Sequence, residues 1–163
     1  MADKRVYLSL GSNIGEREQN LERALEALER EQIHVLLRSS MYETEPQDVT
    51  DQRWFLNIVA ECETDRFPLQ LLSVLLKIER EMGRMRGAGT VRRGPRTIDI
   101  DILLFGNVVM ETPKLTIPHA RMMERRFVLE PLLEIAADVR DPRNSELLSS
   151  YLRRVAGQAV RRI

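Results

Sequence analysis

Gly94-Pro95-Arg96-Thr97-Ile98-Asp99-Ile100-Asp101 runs on into Ile102-Leu103-Leu104-Phe105, and reading that stretch as a strand decides the fold class. Side chains alternate faces along an extended strand, so Ile98, Ile100 and Ile102 are expected to enter a core while Asp99 and Asp101 share the other face. Two aspartates side by side repel, and something cationic must relieve them. Paired carboxylates behind arginines suit a Mg²⁺-bound polyphosphate, with oxygen ligands on the metal and guanidinium forks on the phosphates. A bare Asp-x-Asp is otherwise read as an edge strand with a solvated acidic face; the arginines favour the first reading.

Upstream, Leu71, Leu72, Leu75, Ile78 and Met82 recur at helical spacing, after a start at Asp65 and Pro68 and before a stop near Gly83. Glu79 lies at the edge of that helix's buried face. Further back, Ile33 to Thr44 and Trp54 to Thr64 read as two strands pairing antiparallel, and Val6 to Leu10 as a first strand. Leu21, Ala24, Leu25 and Leu28 follow at helical spacing. The intervening Gly11-Ser12-Asn13-Ile14-Gly15 lacks the Lys-Ser/Thr of a P-loop and is read as a tight turn with a helix cap. Downstream, Gly106-Asn107 signals a hairpin that returns through Val108 to Met110, and Phe127 to Ile135 and Glu146 to Val155 read as short helices. The order strand, helix, strand, strand, helix, strand predicts an α+β, ferredoxin-like βαββαβ core with an antiparallel sheet, helices on its face and a C-terminal helical extension.

The 163 residues, 43% hydrophobic and 31% charged, are expected to form a single domain over 1–163. Twenty-five basic residues balance 25 acidic ones, so no global field recruits nucleic acid or an anionic membrane. No apolar run reaches membrane-helix length. The first residues enter the Val6 strand without a signal-like apolar core, so export is not expected. The single cysteine, Cys62, lies in an apolar run and reads as a buried spectator thiol; a cytoplasmic location and a monomer are expected.

Six arginines (Arg80, Arg84, Arg86, Arg92, Arg93, Arg96) fall within seventeen residues, interleaved with Gly83, Gly87, Gly89 and Gly94. Such a loop can wrap a polyanion, and its bland counterpart is a solvated charge run. It lacks the interleaved aromatics of an RNA-binding surface. His119 precedes Arg121, Arg125 and Arg126, a second cluster able to meet the first; taken alone it reads as a surface or capping residue. His34 opens a strand and reads as structural. A non-catalytic ferredoxin-like binding module and another Asp-x-Asp Mg²⁺ enzyme, such as a nucleotidyltransferase, are the competing classes.

Tyr7-Leu8-Ser9-Leu10-Gly11-Ser12-Asn13, Phe55-Leu56-Asn57, Gly83-Arg84, the Gly94–Ile102 block, Phe105-Gly106-Asn107 and Leu115-Thr116-Ile117-Pro118-His119 together resemble the 6-hydroxymethyl-7,8-dihydropterin pyrophosphokinase family of folate synthesis. The resemblance runs from about Tyr7 to Ile135. It implies transfer of the β,γ-pyrophosphoryl group of ATP to the pterin's hydroxymethyl oxygen, with release of AMP and with two Mg²⁺ ions on Asp99 and Asp101. It also implies that Arg84 and Arg96 hold the triphosphate and act in catalysis, with His119 and Arg125 as further phosphate contacts and Glu79 and Ile102 on the nucleotide side. For the pterin it implies Phe55 and Phe127 as sandwiching rings, Asn57 as the edge-reading amide, and Thr44 and Asp99 beside them. Without the resemblance, Phe55 and Phe127 read as core. Arg93 and Ala120 stand where the family pattern has aromatic residues.

Overall fold

The central strand β1 (Lys4–Ser12) is bordered on both sides. It pairs antiparallel with β4 (Phe55–Thr64) from Lys4↔Thr64 to Ser12↔Leu56, and with β5 (Asp99–Phe105) from Val6↔Phe105 to Gly11↔Asp99. The computed structural model describes residues 3–45, 53–83 and 97–163. On the far side of β4 lie β2 (His34–Arg38) and β3 (Tyr42–Thr44), and β8 (Val160–Arg162) adds to β3, giving the order β5-β1-β4-β3-β8 with β2 also on β4. A separate two-stranded ribbon joins β6 (Met110–Glu111) to β7 (Thr116–Ile117).

Alternation sorts the sheet into two faces. Val6, Leu8, Leu10, Leu56, Ile58, Ile98, Ile100 and Ile102 point to one of them, under α1 (Arg17–Arg30) and α2 (Pro68–Glu81). The i, i+3, i+4 stripe of α1, Leu21, Ala24, Leu25 and Leu28, is buried there as expected. Pro68 opens α2, whose start is held by the Gln70 side chain accepting the Phe67 N–H at 2.9 Å. At its end Gly83 sits at φ +85 with nothing near a would-be Cβ, so the left-handed backbone alone calls for glycine. The second face packs Val59, Leu103 and Leu104 against α3 (Arg126–Ile135), α4 (Ser149–Leu152) and the following turn, through Val128, Leu129, Leu132 and Tyr151. Next in register that face turns polar, and the candidate site begins.

The expected α+β, ferredoxin-like order and helical extension are the observed ones. Three local expectations are not. The single strand Ile33 to Thr44 is split into β2 and β3, because Ser39 accepts the Val59 N–H with its hydroxyl (2.9 Å) and so interrupts the main-chain ladder. The helix cap expected at the Gly11–Gly15 turn is missing: Glu16 at the N-cap makes no side-chain bond, and Asn20 from within α1 closes the turn on Ser12 Oγ (3.1 Å) and the Ile14 carbonyl (2.8 Å). The Gly106-Asn107 turn forms, but Val108–Met110 does not return along β5. The Leu103 carbonyl there accepts the His119 N–H at 3.0 Å, so the Pro118–His119 segment occupies that edge. The strand β8 carries no alternating apolar pattern in the sequence. Cys62 is fully buried, and burial pushes its thiol up to about 12, which agrees with a spectator thiol. His34 bonds Glu29 at the surface and fits a structural role. No helix among the described residues is long and apolar enough to cross a membrane.

Candidate active site

Antiparallel register puts Asp99, Gly11, Asn57 and Tyr42 in one row across β5, β1, β4 and β3. Thr44 pairs with Phe55 one step further along. Asn57 is 4% exposed and donates its amide Nδ2–H to Thr44 Oγ1 at 2.8 Å. Its carbonyl lies over β1: a Cβ on Gly11 would stand 2.6 Å from Asn57 Oδ1 and 3.6 Å from the Phe55 ring. Glycine in the Gly-Ser-Asn motif is therefore a space requirement of the amide and ring beside it. Phe55 is half-buried on the same face. From the start of α3, Phe127 is half-buried as well, with the Arg125 guanidinium 5.5 Å from its ring centroid.

Asp99 and Asp101 project together from β5, both half-buried, while Ile98, Ile100 and Ile102 enter the opposite core as the alternation predicts. Ile102 is 3% exposed in that core, so any nucleotide contact it makes falls to its main chain. His119 Nε2 stands 3.9 Å from Asp101 Oδ2. Its Nδ1 accepts the Arg121 N–H at 3.1 Å, which leaves the neutral ring's proton on the nitrogen that faces the carboxylate. Burial, reinforced by the Arg125 and Arg121 charges and opposed by Asp99, pushes this imidazole down to about 4. The ring is therefore a neutral donor at pH 7.

Glu79, 2% exposed on α2, accepts the Ile100 N–H at 2.7 Å. β5 ends the sheet, so that N–H faces outward between the two aspartates, and the carboxylate satisfies it. The pairing links helix to strand where the aspartates emerge, a role that helical spacing alone does not show.

The structure thus gathers Asp99, Asp101, Glu79 and His119 along β5, Thr44, Phe55 and Asn57 at the adjoining end of β3 and β4, and Arg125 and Phe127 at the start of α3. Arg84, Arg96 and the glycine-arginine loop between them lie outside the described residues, as does Arg93; Ala120 is exposed. Two features of the site went unread in the sequence. One is the role of Gly11. The other is a bridge from Arg17 through Glu43 to Arg161, whose members are too far apart in the chain for any local signal.

Among the described residues no three His, Cys, Asp or Glu side chains converge as a metal site. Asp99 and Asp101 offer two carboxylates on one face, a hard-oxygen set that fits Mg²⁺, which takes one or two carboxylates and fills its octahedron with water and phosphate oxygens.

A family profile described as 7,8-dihydro-6-hydroxymethylpterin-pyrophosphokinase matches residues 7–137. The chain is 47% identical over 135 residues to the 2-amino-4-hydroxy-6-hydroxymethyldihydropteridine pyrophosphokinase of Bacillus subtilis, covering 82% of this chain and 79% of that one. It is 43% identical over 160 residues to the folic acid synthesis protein fol1 of Schizosaccharomyces pombe, covering 98% of this chain but only 21% of fol1. It thus spans about a fifth of that relative's length. In fold it resembles the Plasmodium falciparum HPPK-DHPS crystal structure with pteroate, at a TM-score of 0.75 and 16% identity over 94% of this chain and 44% of that one. With a paired-carboxylate strand and a glycine-backed amide on one face of a ferredoxin-like sheet, and with that profile covering most of its length, the chain belongs to the 7,8-dihydro-6-hydroxymethylpterin-pyrophosphokinase family.

Proposed function

We propose that this protein transfers the pyrophosphoryl group of ATP to the hydroxymethyl oxygen of 6-hydroxymethyl-7,8-dihydropterin, giving the pterin diphosphate and AMP in folate synthesis. One observation carries the reading: a polyphosphate-type pair, Asp99 and Asp101, shares a sheet face with a group suited to a flat heterocycle, Asn57, Thr44 and Phe55, and Asp99 lies in the same register row as Asn57. A binding module or an unrelated Asp-x-Asp enzyme accounts for one half of that face, not both.

In the reaction the substrate hydroxyl attacks the β-phosphorus of ATP, its oxygen–phosphorus bond forms as the bond to the α,β-bridging oxygen breaks, and AMP departs with that oxygen. The hydroxyl proton passes to water. Bound Mg²⁺ would neutralise phosphate charge and favour ionisation of the attacking hydroxyl. Asp99 and Asp101 would hold the metal, as ligands first and bases second. His119, neutral with its Nε2–H toward Asp101, is placed to donate to a phosphate oxygen. Arg125 adds positive charge, and Arg84 and Arg96 are proposed to grip the triphosphate as charge develops. Asn57 reads the ring edge through an amide that Thr44 orients, and Phe55 and Phe127 supply apolar walls. Glu79 is assigned to the nucleotide side through the strand it anchors.

The test is AMP release from ATP and Mg²⁺, with and without the pterin, in the wild type and in Asp101→Ala. Pterin-dependent AMP is expected, lost in the variant at unchanged far-ultraviolet circular dichroism, and lost in the wild type on chelation of divalent cations. No AMP from folded wild type overturns the reading in favour of a binding module.

A further inference from the structure

A polar linkage of three charged side chains sits behind the ring-binding end of the candidate site. Arg17, at the start of α1, donates one guanidinium N–H to the Trp54 carbonyl (2.9 Å) and another to Glu43 Oε2 (2.8 Å). The Arg17 and Glu43 side chains are 16% and 14% exposed, so this ion pair is largely shielded. The other oxygen of Glu43 accepts from Arg161 of β8, whose guanidinium also lies 5.7 Å from the centre of the Trp54 ring. On the opposite face Arg162 reaches Glu134 of α3 at 3.6 Å, and the same carboxylate accepts the Tyr42 hydroxyl at 2.7 Å. Between these ties the main chain of β8 pairs with β3, setting Val160 against Thr44.

β3 is only three residues long, and it carries the hydroxyl that orients the Asn57 amide. Without β8 it would be an edge strand with one partner, free to shift against β4. Arg161 binds Glu43 of β3 and covers Trp54, the residue before β4 opens at Phe55, so it fixes together the two chain ends that bring Thr44 and Phe55 into register. None of the bridging atoms reaches the site face, since Glu43, Trp54 and Arg161 alternate with Thr44, Phe55 and Arg162.

We propose that Arg161, acting through Glu43 and Arg17, is a positioning residue for pterin recognition: β8 sets how well the Thr44, Asn57 and Phe55 group is arranged before the ring arrives. The inference rests on the pterin reading above, and its central residue, Arg161, lies beyond residues 7–137 that the family profile covers. A flat ring bound by one amide and two walls tolerates little displacement of those groups. The effect should therefore fall on pterin affinity and spare the phosphate chemistry on β5, the edge strand opposite β8.

The experiment compares the wild type with Arg161→Ala, Arg161→Lys and the Glu43→Gln/Arg161→Ala pair. It measures binding of 6-hydroxymethylpterin by Trp54 fluorescence, and kcat and both KM values with 6-hydroxymethyl-7,8-dihydropterin and MgATP. In Arg161→Ala the pterin Kd and KM are expected to rise about fivefold, the scale of one charge-assisted contact. In that variant kcat and the ATP KM stay within about twofold and lysine restores most of the loss, whereas the pair costs more than the single change because Glu43→Gln also weakens the shielded Arg17–Glu43 pair. Unchanged pterin affinity in Arg161→Ala overturns the inference. So does a loss spread equally over kcat and both KM values with a lowered unfolding temperature, which marks a merely structural contact. Absence of pterin-dependent AMP in the wild type removes the pterin reading itself, and this inference with it, whereas normal wild-type turnover with an indifferent Arg161→Ala removes this inference alone.

Discussion

A missing side chain organises the ring-binding corner. Gly11 leaves room for the Asn57 carbonyl, and an alanine methyl would stand 2.6 Å from that oxygen, well inside van der Waals contact. The strand cannot retreat, because β1 is bonded on both sides. Gly11→Ala is therefore expected to displace the Asn57 amide, weakening 6-hydroxymethylpterin binding at least tenfold and costing about 1–3 kcal/mol in urea unfolding, the usual range for overpacking a well-filled site. Wild-type affinity in that variant would show that Asn57 does not read the ring. Arg96→Ala, at a position outside the described residues, is expected to slow turnover of bound substrate more than it weakens pterin binding, since its proposed partner is charge that grows in the transition state. Single-turnover and binding measurements separate the two.

At the scale of elements, the meeting of α2 with β5 decides whether the aspartates are held. The Glu79 carboxylate accepts the Ile100 N–H at the sheet edge from a nearly dry position. Removing the acceptor strands a buried donor, at a cost of about 1–3 kcal/mol. Glu79→Ala is expected to lose that much in denaturant unfolding, while Glu79→Gln keeps an accepting oxygen and most of the stability. If both variants lose activity equally at full stability, Glu79 acts on the nucleotide and not through the strand. The His119 segment is a comparable case, since its main chain occupies the β5 edge at Leu103 while its ring reaches Asp101.

Across the molecule, Asp141, Glu43 and Glu134 titrate below the ordinary carboxylate range, as do Glu29 and Glu31 at the surface. The Arg143 guanidinium and N–H and the Tyr151 hydroxyl hold fully buried Asp141 down against burial, which opposes them. Arg161 and Arg17 hold Glu43 down, and for Glu134 hydrogen bonds from Tyr42 and Ser40 outweigh a burial that alone would raise it. A folded-state pKa below the unfolded one means that the folded chain binds protons less readily. The stability these groups supply is then present above about pH 4, the ordinary carboxylate value, and is lost as pH falls through the lower folded values. Urea midpoints are expected to decline from about pH 6.5, where the unfolded His119 imidazole takes up a proton that the folded one refuses until about pH 4, and to fall more steeply below 4 as the carboxylates protonate. Asp141→Asn is expected to be less stable at pH 7 and to lose less on acidification; an identical acid slope in that variant would mean that Asp141 takes no part.

The strand at Asp99–Phe105 and the stripes of α1 and α2 were legible in the sequence because alternation and helical spacing are local: burying one face is the strongest demand that neighbouring residues share. The same locality placed Asp99 with Asp101 and Phe55 with Asn57, since i and i+2 on a strand cannot point apart. What lay beyond it depended on register between strands distant in the chain. The split at Ser39, the capture of the Leu103 carbonyl by His119, the pairing of β8 with β3 and the Arg17–Glu43–Arg161 bridge all join residues with no local pattern in common. Sequence alone determined the faces, and with them the chemistry each strand could present. Only the tertiary structure decided which strand ends meet, because antiparallel register brings Asp99, Gly11 and Asn57 into one row from three separate strands.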